Sequence, residues 1–291
     1  MPLPTEPHPW VEACEDWDEW DKPGPAFQVH GNTWYVGTCG IAAILVTSDD
    51  GHVLIDSGTQ AGADLVLANI RAAGFDPADV KLLLASHEHF DHVGGMARIQ
   101  EATGAPLITS LIGAQAMASG EAHSDDPQAG LHEPMRPVAK VLPFFDESAQ
   151  YLLHRFGFWP IPTPGHTPGA MSWAWRACEG ETCRVAVYAD SLSAVSSDDY
   201  RFVDHPDYLS KFVESFERIA DYGSCLLLTP HPSGSNMRGK LMGGDLAQPL
   251  AAPCDAYARQ QRAALLMRLL REDPDNAYAL VGLIAQGQDK R

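Results

Sequence analysis

"SHEHFDH", residues Ser86–His92, sets three histidines and two acidic residues into seven positions. It follows directly on "VKLLLA" (Val80–Ala85), an apolar run suited to a buried strand, so the histidines begin where that strand ends. His87 and His89 lie two apart, and an extended stretch puts both on one face. Asp91 and His92 come after the chain turns, and Gly94-Gly95 opens a helix. Two further histidine loops occupy the same kind of position: "TPGHTPGA" (Thr163–Ala170) after "FWPIP", and "TPHPSGSN" (Thr229–Asn236) after "CLLL". Loops at the strand ends of one sheet edge converge on a single cleft. The converging set is His87, His89, Asp91, His92, His166 and His231. Five imidazoles and a carboxylate suit Zn²⁺. Six ligands exceed what one tetrahedral zinc accepts, so two three-ligand sites with open positions are implied, and open positions mark catalytic rather than structural metal. The other histidines (His8, His30, His52, His123, His132, His154 and His205) read as packed or surface residues.

The composition fits this reading without deciding it. The chain has 291 residues, 45% hydrophobic and 20% charged, as an ordinary soluble globular protein has. Its net charge of −18 argues against nucleic acid or an anionic membrane as partner, since both need a basic surface. No apolar run approaches the ~20 residues of a membrane-spanning helix. "MPLPTEPHPW" lacks the basic start and apolar stretch of a secretory signal, which leaves a cytosolic protein or a mature form whose leader is replaced by Met1. The six cysteines, Cys14, Cys39, Cys178, Cys183, Cys225 and Cys254, contain no CxxC pair and stand outside the histidine run. Cys178 and Cys183 flank "EGET", a tight turn between two strands. An even count of this kind favours disulfides and an oxidising compartment; buried free thiols are the alternative.

Along the chain, "HPWVEACEDWDEWDKPGPAF" is aromatic, acidic and without period. It reads as an arm, residues 1–30, whose Trp10, Trp17 and Trp20 pack on the body, with walling of the cleft a lesser role. "NTWYVGTCG", "IAAILVTSDD" and "GHVLIDSG" read as a meander. "QAGADLVLANIRAAGF" and "GGMARIQEATG" read as helices ending at Gly74 and Gly104, and "APLITS" as a strand. Residues 119–138 are polar and rich in Gly and Pro, a long loop. β-rich segments are expected near 151–163, 171–177 and 184–190, then an amphipathic helix in "PDYLSKFVESFERIADYG". "CLLLTP" reads as a buried strand and "AYARQQRAALLMRLLRED" as a last helix. Strand clusters bracketed by helices in both halves imply two sheets between helical layers, a single α/β domain spanning 1–291.

"HEHFDH" with "GHTPG" and "TPHPSGSN" resembles the metallo-β-lactamase superfamily, and "VYADSLSA" with "TPHPSGSN" resembles its subclass B3. "SWAWRACEGETCR" and the cysteine layout resemble the Adelaide imipenemase type within that subclass. The resemblance runs from "GNTWYVGTCG" to the last helix and implies a four-layer αββα sandwich with the site at the sheet edge. It implies two zinc ions per chain, one held by His87, His89 and His166 and the other by Asp91, His92 and His231. It implies a hydrolase that opens the β-lactam amide of carbapenems, penicillins and cephalosporins with a metal-bound hydroxide oriented by Asp91. An exported periplasmic enzyme linked to antibiotic resistance follows from the same resemblance, as do a monomeric state, a small-molecule substrate and the disulfides Cys14–Cys39, Cys178–Cys183 and Cys225–Cys254.

"YADSLS" separates relatives within the superfamily, many of which bridge both metals with an aspartate from this strand. Strand side chains alternate, so Asp190 and Leu192 share one face and Ser191 and Ser193 the other. The subclass resemblance turns the serines into the cleft to bind substrate and points Asp190 away from it. Asp56, in "LIDSG", matches a superfamily position behind the ligands and is expected to fix a ligand imidazole. Glu88 and Phe90, between ligands, are expected to be structural. No SxxK or GxSxG nucleophile motif is present. The rival readings are a thioester or lactone hydrolase on the same fold, which would carry a bridging Asp190, and a non-catalytic periplasmic zinc-binding protein, whose metals would be coordinatively closed.

Overall fold

Leu82, Leu83 and Leu84 are all fully buried, yet they face two different cores. Leu82 and Leu84 turn toward a second sheet, and Leu83 turns toward helices on the opposite side. A strand covered on both faces has no polar side to show, which is why its sequence is nearly continuous in leucine. In the computed structural model, which describes residues 7–243 and 253–275, that strand is the centre of a layered body.

The first sheet has seven strands in chain order, β1 (Phe27–His30), β2 (Thr33–Tyr35), β3 (Ile44–Val46), β4 (His52–Ile55), β5 (Val80–Leu84), β6 (Leu107–Thr109) and β7 (Val141–Pro143). β1 to β4 form the expected antiparallel meander, and β4 to β7 run parallel. The second sheet contains β8 (Trp159–Pro162), β9 (Met171–Glu179), β10 (Thr182–Tyr188) and β11 (Leu226–Leu228), in the spatial order β11-β10-β9-β8. Ile44, Ile55, Leu84 and Ile108 of the first sheet meet Trp173, Trp175, Tyr188 and Leu228 of the second in one shared core. Helices Gly62–Ala72 and Met96–Thr103 cover the outer face of the first sheet. Helices Pro206–Ala220 and Pro253–Glu272 cover the outer face of the second. The order of layers is helix, sheet, sheet, helix, the αββα sandwich.

This arrangement delivers the histidine loops to one edge. Ser86 follows β5, Ala189 follows β10 and Thr229 follows β11, while His166 lies in the turn from β8 into β9. Trp173 on β9 donates its indole N–H to the Ala85 carbonyl at 2.9 Å, joining the two sheets one residue before the histidine run.

The three disulfides pair as the resemblance implies: Cys14–Cys39, Cys178–Cys183 and Cys225–Cys254. Cys178 and Cys183 face each other across β9 and β10, with Gly180 at φ +57 in the turn between them. Helix Met96–Thr103 ends at a left-handed Gly104, as read from the sequence. One secondary-structure expectation fails. Residues 151–156, read as the start of a β-rich segment, belong to helix Glu147–Phe156. The Asp146 carboxylate caps it by accepting from the Ser148 and Ala149 amides, and a left-handed Gly157 closes it. Strand character begins only at Trp159.

The first six residues of the arm lie outside the described residues. Trp10 is buried in the core between the sheets. Trp17 and Trp20 are exposed instead, 71% and 39%, and line the cleft, so the arm walls the site more than the sequence reading allowed. Because Trp173 carries a packing role and an inter-sheet hydrogen bond, Trp173→Phe is expected to cost about 2 kcal/mol, read as a lower urea midpoint at unchanged slope.

Candidate metal centre

His87 follows the buried strand with no solvent exposure at all. Its Nδ1 lies 2.8 Å from Asp190 Oδ1, and its Nε2 is buried with no hydrogen-bond partner. Burial, with the neighbouring imidazoles adding to it, holds the ring well below the usual histidine range. A neutral ring that gives its Nδ1 proton to Asp190 leaves the Nε2 lone pair free to bind a cation.

His89 and His166 repeat that design with other acceptors. His89 Nε2 lies 3.0 Å from Asp126 Oδ2, which directs Nδ1 inward. Burial opposes charge on this ring, but the bond to Asp126 outweighs it and moves the His89 pKa up. His166 Nδ1 lies 2.9 Å from the Ser193 carbonyl. A carbonyl only accepts, so Nδ1 carries the proton and Nε2 is the free donor atom. Burial, with His89 nearby, pushes the His166 pKa down to about 3. Ligand atoms of His87, His89 and His166 lie within 4.8 Å of one another.

A second group, His87, Asp91 and His92, satisfies the same limit. Both nitrogens of His92 are buried without a hydrogen-bond partner; Nε2 stands 2.9 Å from Asp91 Oδ2 but outside hydrogen-bond alignment. Burial alone would raise the Asp91 pKa, yet His92 and His231 hold it well below the usual carboxylate range. His231 lies outside that tight group, with Nε2 3.4 Å from Asp91 Oδ2 and its ring 4.8 Å from that of His92. All six expected ligands therefore meet at one edge. Unpartnered buried nitrogens beside an ionised carboxylate fit a divalent, nitrogen-preferring metal such as zinc.

The residues around the ligands differ in part from expectation. Asp56 does not reach a ligand imidazole. Its carboxylate accepts from the Ser86 amide and hydroxyl, both at 2.7 Å, and from the Tyr188 hydroxyl at 2.8 Å. Burial raises its pKa to about 7. Asp56 thus fixes the residue before His87, and Asp190 supplies the carboxylate that touches the imidazole. Glu88 is buried and ties two ligand loops together, accepting from the Thr167 hydroxyl at 2.7 Å and the Gly169 amide at 2.9 Å. A Cβ on Gly169 would stand 2.6 Å from the Gly113 amide and 2.7 Å from Glu88, which explains the glycine in "GHTPG". Asp126 went unread in the sequence because it lies in the polar loop 119–138, where one acidic residue among several carries no periodic signal.

Ser191 and Ser193 both line a cleft of about 280 Å³ beside the ligands, together with Trp17, Trp20 and Gln128. Strand alternation is not what aims them, because β10 ends at Tyr188. Leu192 adopts φ +47, and this left-handed turn presents both serines to the cleft while Asp190 turns back to His87. The Ser191 hydroxyl is buried and unpartnered.

The sequence profile of the Metallo-beta-lactamase superfamily matches residues 36–231. The chain belongs to that superfamily. Among solved structures it is 49% identical to the MIM-2 metallo-β-lactamase, covering 90% of this chain and 97% of that one, with a TM-score of 0.81. It is 44% identical to the metallo-β-lactamase MIM-1 from Novosphingobium pentaromativorans, covering 94% and 99%, with a TM-score of 0.82. With MEM-A1, a subclass B3 metallo-β-lactamase from a soil metagenome library, it shares 34% identity over 88% and 100%, with a TM-score of 0.79. These neighbours make the chain a metallo-β-lactamase of the subclass B3 group and a hydrolase. Asp126→Ala is expected to weaken zinc binding about 10- to 100-fold, with Asp126→Asn intermediate. Competition against a chromophoric chelator measures it, and an unchanged affinity in both variants refutes the role of Asp126.

Proposed function

We propose that the chain is a di-zinc hydrolase of carbapenems, penicillins and cephalosporins, exported to an oxidising compartment such as the periplasm. The observation that carries the reading is the division of labour in "YADSLS". Asp190 Oδ1 is engaged with His87 Nδ1 behind the ligand, and Ser191 and Ser193 face the cleft. A hydrolase that bridges its metals with this aspartate would need the opposite arrangement. The three disulfides support the compartment.

His87, His89 and His166 would hold one zinc, and Asp91, His92 and His231 the other. Zinc so held supplies Lewis-acid polarisation of a carbonyl and a bound water whose pKa falls toward about 7. Asp190, Asp126 and the Ser193 carbonyl fix which nitrogen each of three imidazoles presents. Asp91, kept ionised by His92 and His231, would accept a hydrogen bond from the attacking water and so orient it. Ser191, whose hydroxyl is buried at the cleft without a partner, and Ser193, whose hydroxyl lies 3.1 Å from His166 Nδ1 and keeps its own proton to give, are the donors for the carboxylate that β-lactams carry beside the scissile amide. Trp17, whose ring stands 5.9 Å from that of His231, and Trp20, 5.6 Å from Phe90, give the cleft an apolar wall against which a substituent can pack. The described residues of both sheets share one core, which supports reading the chain as a single domain.

Steady-state turnover of a carbapenem is expected to vanish with a zinc chelator and return with added zinc. His166→Ala and His231→Ala are expected to lose at least about 10²-fold in kcat/KM, equivalent to ~2.7 kcal/mol of transition-state stabilisation, with folding retained. Turnover that survives chelation removes the metal from the mechanism. Hydrolysis of a thioester or a lactone in preference to the carbapenem assigns the site to the rival substrate class.

A further inference from the structure

The turn that carries the two cleft serines is held by a residue from a remote part of the chain. Tyr257, on helix Pro253–Glu272, is buried, and its hydroxyl lies 2.6 Å from the Ser191 carbonyl and 2.9 Å from that of Asp190. One proton shared between two carbonyls, with the shorter arm to Ser191, clamps the peptide units immediately before the left-handed Leu192. A non-glycine residue at positive φ persists only where its surroundings over-determine it. Gln261, one helical turn further on, is the neighbouring polar side chain, and both side chains line the cleft.

The clamped segment touches two proposed ligands of the first zinc as well as the cleft. Asp190 Oδ1 is on His87 Nδ1, and the Ser193 carbonyl is on His166 Nδ1. The helix that supplies the clamp is fixed in turn at Cys254, disulfide-bonded to Cys225 next to β11 and only three residues from Tyr257.

We infer that Tyr257, backed by Gln261, is a positioning residue that sets where the Ser191 and Ser193 hydroxyls stand in the cleft and which nitrogen His166 presents to metal. The inference rests on the substrate role proposed for the two serines, but its metal half stands apart from the identity of the substrate. Tyr257 touches no reacting atom; it acts through the turn.

The test uses the full chain loaded with zinc and compares wild type with Tyr257→Phe, Gln261→Leu and Gln260→Leu. Gln260 is exposed on the same helix and serves as the control. Three quantities are measured: KM and kcat for a carbapenem, zinc affinity by competition with a chromophoric chelator, and the melting temperature. Tyr257→Phe is expected to raise KM about fivefold to tenfold, the weight of one net hydrogen bond, with a smaller fall in kcat and zinc affinity reduced about threefold. Gln261→Leu, which removes the polar side chain beside Tyr257, is expected to shift KM in the same direction by about threefold, and Gln260→Leu to leave all three quantities unchanged. KM and zinc affinity both within twofold of wild type in Tyr257→Phe overturn the inference, even if the melting temperature falls, since the hydroxyl then serves only to hold the helix. If Tyr257→Phe does not fold, Gln261→Leu decides alone, and wild-type KM and zinc affinity in it overturn the inference. If wild type turns over no β-lactam, the proposed function fails, and the chelator competition still decides whether Tyr257 positions the ligands.

Discussion

An imidazole has two nitrogens, and burying it demands a partner for each. At this site the protein provides one and withholds the other. Asp190, Asp126 and the Ser193 carbonyl take the outer nitrogens of His87, His89 and His166, and the inner lone pairs are left facing one another. An unsatisfied buried polar atom costs roughly 1–3 kcal/mol, and His87 Nε2 and both nitrogens of His92 have no hydrogen-bond partner within the protein. A cation that accepts those lone pairs removes the penalty, which couples metal binding to the stability of the fold. The three acceptors come from two places: Asp126 from a long loop, and Asp190 and the Ser193 carbonyl from the one strained turn after β10. Much of the architecture serves to bring them to one edge.

The layers explain why that edge is rigid enough. The apolar run before "SHEHFDH" is locked between two cores, and Trp173 ties the second sheet to its last residue. Asp56, buried beneath, fixes Ser86. Glu88 then fastens this loop to the one carrying His166 through Thr167 and Gly169. It is neither an acid–base group nor a mere spacer. A buried carboxylate with two donors in place is a rigid strut, and it leaves the neighbouring imidazoles little freedom to turn.

The convergence of the six proposed ligands was legible because histidine is rare and its clustering after apolar runs has one economical explanation. The meander, the parallel strand, the outer helices and the layer order followed from period and punctuation. Residues 151–156 were misread because an aromatic and leucine-rich stretch of six is ambiguous by period, and the Asp146 cap and Gly157 stop decide it. Asp126 could not be read, since its meaning comes from a contact 37 residues away in sequence. The outcome at "YADSLS" agreed with strand alternation for a reason that alternation does not contain. The strand stops at Tyr188, and a single left-handed leucine does the aiming. Local pattern identified which residues face the cleft; long-range hydrogen bonds determine how.

Ligand support and cleft lining are built from the same short segments. The loop that brings Asp126 to His89 brings Gln128 to the cleft two residues later, and the Gln128 amide donates to Asp126 Oδ1 at 2.8 Å. The turn that brings Asp190 to His87 and the Ser193 carbonyl to His166 carries the two serines between and beside them. On the opposite wall, the arm that presents Trp17 is fixed by the Ser233 hydroxyl, which accepts from the Trp17 amide at 2.7 Å and belongs to the loop of His231. The wall facing the substrate and the shell supporting the metal therefore cannot be varied independently. A substitution that reshapes the cleft through any of these backbones also moves an acceptor behind a ligand. Changes in substrate preference are accordingly freest at Trp20, whose ring packs on Phe90 and His132 rather than on a ligand, and most constrained in the serine turn.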